Sequence, residues 1–139
     1  MPVKRTHLPV ALGAVALLGV AELCSAQAHQ QAGRMVLEVA QSGGKPRVVS
    51  TNPDVVTIDR IVRGLPWSDI TFVVLRKDET NYIEGSGSLN PSDGLSARYV
   101  ENGVEHVSRQ APESLRVIVA LLASYRSGDG KWRTMIEWE

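Results

Sequence analysis

The chain has 139 residues, 43% of them hydrophobic, and its 15 basic side chains balance 15 acidic ones. That is enough apolar material for one core in one domain. There is no basic run and no interleaving of aromatic with basic residues, so composition excludes nucleic acid as an expected partner.

The first thirty residues differ in kind from the rest. Lys4 and Arg5 precede an apolar stretch from Leu8 to Val20, and Ala26-Gln27-Ala28 follows. This charged, apolar, small-residue order predicts a secretory signal over residues 1–28, cleaved after Ala28, with 29–34 as a linker and 35–139 as the folded domain. The apolar stretch is short for a membrane span and runs into Glu22, so no membrane association is expected after removal. Cys24 lacks a small residue just before it, which argues against lipidation. The expected location is the periplasm or beyond. An uncleaved anchor is one alternative; translation from Met35, directly before the first strand pattern, is another and would leave the protein in the cytoplasm.

From Met35 the pattern is that of an α+β domain. Met35 to Gln41 alternates apolar and polar, Gly43-Gly44 breaks it, and Arg47 to Thr51 resumes it, which predicts a hairpin. Asn52-Pro53-Asp54 reads as a helix start with Asn52 as the cap and Pro53 at the first helical position. Val55, Ile58, Val62 and Leu65 then form one helical face, closed by Gly64 and Pro66. Asp69 to Arg76 is apolar on both alternations and predicts the central strand, and Asn81 to Glu84 predicts the next. GSGSLNPSDG reads as a surface loop; no helix signal and no Lys-Ser or Lys-Thr pair follows it, as a phosphate-cradling loop would require.

Asn102-Gly103 between two strand-like runs predicts a two-residue turn with positive φ at both positions. Glu101 then faces Val104, Val100 faces Glu105, and Tyr99 faces His106. Pro112-Glu113 opens a last helix with a stripe of Leu115, Ile118, Leu122 and Tyr125, ended by Gly128. In the tail, Trp132, Met135 and Ile136 are expected to pack beside that helix while Lys131, Arg133 and Glu137 stay in water. The predicted fold is a single α+β domain, a mainly antiparallel sheet of about five or six strands with two helices packed on it.

Chemistry-bearing residues are sparse. His7 lies in the N-terminal segment, His29 at the expected mature start and His106 alone in a hairpin, so no metal-ligand spacing and no cofactor motif is present. A serine nucleophile would need a partnered base, and His106 with Ser86, Ser88, Ser92, Ser96 or Ser108 lies in no recognisable elbow or triad order. No catalytic residue is assigned, and the expectation is a protein that is not an enzyme.

The order of elements from Val36 onward, and the run QAPESLRVIVALLASYRSGDGKWRTMIEWE in particular, resembles the C-terminal half of immunity proteins from bacterial polymorphic toxin systems, closest to the family associated with deaminase toxins. There a hairpin is followed by a helix, a Gly-Asp turn and a two-tryptophan ending; the matching residues here are Gly128, Asp129, Trp132 and Trp138, and the strands FVVL and NYIEGSG are similar as well. The resemblance implies a stoichiometric inhibitor that binds a cognate toxin and covers its active site or an adjacent surface. If the chain is exported, that toxin acts in the periplasm or envelope. The expected contact residues are the charges Asp78, Glu79, Glu84, Asp93, Glu101 and Glu105, taken as one exposed acidic cluster, with Trp138 as an anchor. The alternatives are a small exported envelope or structural interaction protein without a toxin partner, and a periplasmic hydrolase using His106.

Overall fold

The structure, a computed structural model, describes residues 33–139. The signal-peptide expectation for 1–28 and nearly all of the 29–34 linker lie outside the described residues. Six strands are present: β1 (Val36–Gln41), β2 (Arg47–Thr51), β3 (Thr71–Asp78), β4 (Asn81–Gly87), β5 (Leu95–Glu101) and β6 (Val104–Val107). Helix α1 (Val55–Gly64) connects β2 to β3, and α2 (Leu115–Ser127) and α3 (Trp132–Met135) follow β6. The strands form one sheet in the order β2-β1-β3-β4-β5-β6, with every pair antiparallel. This is the α+β architecture that the pattern predicts, with a third, one-turn helix in addition.

Side-chain alternation decides which face is buried. Leu37, Val39, Val73, Leu75, Ile83, Ala97 and Tyr99 point to the helices and form the core with Ile58 and Val62 of α1 and Ile118, Leu121 and Leu122 of α2. The alternate positions Glu38, Val74, Arg76, Tyr82 and Arg98 lie on the other face, where no helix of the described residues packs. Position β3 is central, as its two apolar faces predict.

Three local expectations are corrected. The cap of α1 is Asp54, whose Oδ1 accepts from the Thr57 amide at 2.7 Å. Asn52, the expected cap, has φ 49° and instead clamps the start of β1: its Oδ1 accepts from the Met35 amide at 3.1 Å and its own amide donates to the Met35 carbonyl at 2.7 Å. Helix α2 begins at Leu115, after Pro112 and Glu113. Finally, Gly85-Ser86-Gly87 is not loop but the end of β4. The glycine suits a close approach of α2: a Cβ at Gly85 would stand 2.4 Å from Ile118 Cγ2. Local composition signals a loop there, while helix-to-sheet packing uses the same missing side chain to seat a helix.

The Asn102-Gly103 turn forms with φ 50° and 78°, and the register is Glu101 to Val104, Val100 to Glu105 and Tyr99 to His106, as the dipeptide predicts.

Candidate interaction surface

The expected acidic cluster separates into three places. Asp78 and Glu79 sit on the turn joining β3 to β4, and Glu101 adjoins the turn joining β5 to β6. The two turns are tied together: the Gly103 amide donates to the Thr80 carbonyl at 3.0 Å and the Asn102 amide to Asn81 Oδ1 at 3.0 Å. Asp78 accepts from Asn81 Nδ2 at 3.0 Å and the Thr80 amide at 2.9 Å, and these hydrogen bonds, Asn81 foremost, hold its carboxyl below the usual range. Glu101 is gripped from α3 by both terminal nitrogens of Arg133, which lowers its carboxyl too. Glu79 is exposed at the tip, and Glu105 lies one pair in from the turn, on the face away from the helices.

Glu84 is a correction to the expected exposed set. Its side chain is only 9% exposed, and Arg98, directly opposite on β5, donates to it at 2.9 Å. Arg98 also reaches Glu105, at 3.5 Å. The pairing was hidden from a reading along the chain because the partners are fourteen residues apart and meet only through strand register. Asp93 is elsewhere altogether. It lies beyond the opposite end of β4, where it accepts from the buried Ser88 hydroxyl at 2.7 Å. The acidic residues that share one end of the sheet are therefore Asp78, Glu79, Glu101 and Glu105.

The face of the sheet away from the helices carries a ladder of opposite charges. Glu38 on β1 accepts from Arg76 Nε on β3 at 3.0 Å; the Arg76 guanidinium lies 4.4 Å from the centre of the Tyr82 ring, and Arg98 approaches the same ring from β5 at 5.8 Å. A tyrosine flanked by two arginines, each paired with a carboxylate, makes this surface rigid.

Trp138, the expected contact anchor, is half-buried, with its ring 4.9 Å from Tyr99 and its Nε1 donating to the Trp132 carbonyl at 3.2 Å. Trp132, 5% exposed, stands edge-on to Tyr99 and Tyr125 in the same cluster. Its amide donates to the buried Ser124 hydroxyl, which donates in turn to Asp129, so the Gly-Asp turn fixes the tryptophan in the core. The remaining tryptophan, Trp67, received no role from the sequence; it is 2% exposed and caps α1 by donating from Nε1 to the Val62 carbonyl at 2.7 Å.

The chain's last residues also close a sheet edge. The Val107 and Glu139 amides each donate to the other's carbonyl, at 3.0 and 2.9 Å, and the Arg109 amide donates to the Glu137 carbonyl at 3.0 Å. The tail thus forms a single antiparallel bridge, Ser108 with Trp138, at the end of β6.

His106 stacks on Tyr99 with ring centres 4.5 Å apart, and among the described residues no serine hydroxyl is hydrogen-bonded to it. Among the described residues no group of three or more His, Cys, Asp or Glu side chains is placed to hold a metal ion, and no helix is long and apolar enough to cross a membrane. Compared with known protein families, with curated proteins and with solved structures, the chain matches none.

Proposed function

We propose that this protein is an immunity protein that neutralises a cognate bacterial toxin by binding it and covering its active site or a surface beside it. The observation that carries the reading is the pair of joined turns. Two hairpin tips hydrogen-bonded to each other hold Asp78, Glu79, Glu101 and Glu105 on one end of a rigid sheet. A surface ordered before the partner arrives loses little side-chain and loop freedom on binding, and exposed acidic groups on it steer a basic partner. The resemblance of the C-terminal run to immunity proteins supports the same reading, and the partner implied is the toxin protein, with no cofactor. Location follows the fate of the N-terminal segment: the periplasm if it is removed, the cytoplasm if translation starts at Met35.

Co-expression with the toxin encoded beside this chain is the test. Wild-type protein should restore growth and co-purify with the toxin. Glu79→Lys with Glu105→Gln should abolish both while leaving the melting temperature nearly unchanged, since both glutamates are exposed and glutamine sets no second cation beside Arg98. Full protection by the double variant would refute this contact surface. A wild-type protein that binds no such toxin would refute the immunity function and leave the envelope-interaction reading.

A further inference from the structure

The end of the sheet that carries the acidic tips is bipolar. On the β2-β1-β3 side of it, where β1 starts and β3 ends, lies a pocket of about 420 Å³ whose charged lining is Arg34, Arg76 and Lys77, with no carboxylate among the lining residues. Thr51 and Asn52 supply its polar wall, and Met35 and Val36 an apolar one.

The donors are ordered from beneath. Arg76 is held by Glu38 through Nε alone, at 3.0 Å, and is stacked on Tyr82 at 4.4 Å, so its two terminal nitrogens keep their protons for an acceptor. The Asn52 clamp on Met35 fixes the backbone next to Arg34. It uses the Asn52 carbonyl oxygen and leaves the amide nitrogen as a donor. Among the described residues neither Arg34 nor Lys77 has an ion-pair partner. A concave site whose charged and amide groups are donors, with an apolar wall, is matched by an anion carried on an apolar body.

We propose that this pocket is an anion site that takes a carboxylate-bearing segment of a partner protein, an aspartate or glutamate flanked by an aliphatic side chain. Arg34 and Lys77, cations without an ion-pair partner among the described residues, attract such a segment at a distance, and the Arg76 guanidinium, shared with Glu38 and already held in place, receives the carboxylate with little loss of freedom. The aliphatic neighbour covers Met35 and Val36. The pocket's chemistry does not depend on whether the partner is a toxin, and the acidic tips on the other half of the same end give a second, oppositely charged contact.

The full-length protein, isotope-labelled, is titrated with an N-acetylated, C-amidated hexapeptide of alternating glutamate and leucine and with its glutamine counterpart, while backbone amide signals are followed by NMR. The acidic peptide should produce saturable shifts at Thr51, Asn52 and Lys77, weaken as salt is raised, and lose about tenfold in affinity in Arg34→Glu with Lys77→Glu. Lys45→Glu, a cation of the β1–β2 turn outside the pocket, should bind as wild type. Equal shifts with the glutamine peptide, shifts confined to other residues, or the same loss in Lys45→Glu would overturn the proposal. So would inorganic phosphate alone saturating the site at lower concentration than the peptide, because the ligand would then be a free anion. Should the double variant fail to fold, the wild-type comparison of the two peptides still decides. None of these outcomes depends on a toxin, so failure here and failure of the immunity reading are told apart.

Discussion

Arg98 donates from Nη2 to Glu84 Oε2 at 2.9 Å, directly across the β4–β5 pair, and Glu84 is the more buried of the two. Arg98 Nε is itself buried with no hydrogen-bond partner among the described residues. Truncating Arg98 to alanine leaves Glu84 with its charge and no counter-ion. The loss should be about 2 kcal/mol, below the range for fully buried pairs because Arg98 still reaches solvent. Replacing both with a methionine pair should recover most of it in a urea titration; a double variant as unstable as Arg98→Ala would show that the pair is not the cause.

At Gly85 the constraint is space. An alanine methyl would stand 2.4 Å from Ile118 Cγ2, so either α2 lifts or the isoleucine leaves its rotamer. Gly85→Ala should cost about 1–3 kcal/mol by overpacking, and pairing it with Ile118→Val should return part of that. Unchanged stability would mean that α2 does not press on β4 there.

At Gly103 the constraint is conformation. No atom lies within 4 Å of a Cβ there, yet φ is +78°. Gly103→Val should lose roughly 1–3 kcal/mol through backbone strain alone. Gly103→Asn, which tolerates the left-handed region, should lose much less. Equal losses for the two would point to a different turn.

The tail tryptophans should differ in cost. Trp132→Ala empties a site enclosed by Tyr99 and Tyr125 and should cost about 3–5 kcal/mol. Trp138→Ala should cost less, about 1–2 kcal/mol, since its ring is only half-buried. Its packing on Tyr99 still predicts a lower melting temperature, measurable by calorimetry.

Acid should weaken the tail's attachment. The carboxyl of Glu101 is lowered by its Arg133 hydrogen bonds and that of Asp129 by the Ser124 hydroxyl. A carboxyl with a depressed folded pKa contributes stability that is complete above its unfolded value, about 4, and is lost as pH falls through the folded value. Melting temperature should therefore fall below about pH 4, and Glu101→Gln should flatten that fall while lowering stability at neutral pH. A variant with the wild-type pH slope would exclude Glu101 from it.

How much could be read in the sequence follows from the range of each interaction. Asn102-Gly103 fixes its own turn and the register of the strands beside it, so that hairpin was legible pair by pair. The apolar alternation from Asp69 to Arg76 likewise marked the central strand. Glu84 was misread as exposed because its partner arrives through register, and Gly85 as loop because the helix that needs its bare backbone is thirty-three residues on. Asn52 and Asp54 both suit a cap, and the choice between them rests on Met35, which only the hairpin brings near. The basic half of the sheet end is assembled from the start of β1 and the end of β3, and nothing local joins them.

The pairing of the tail with β6 leaves the sheet's two borders unequal. Along β6 the Val107 amide and carbonyl are already taken by Glu139, whereas along β2 no strand of the described residues pairs on the outer side. The tail thus guards only the last outward-facing position of β6; the backbone of Glu105, two residues earlier and facing the same way, has no partner among the described residues. Unpaired strand borders are where a further strand can add, and freeing the last three residues would lengthen the border that β6 leaves open.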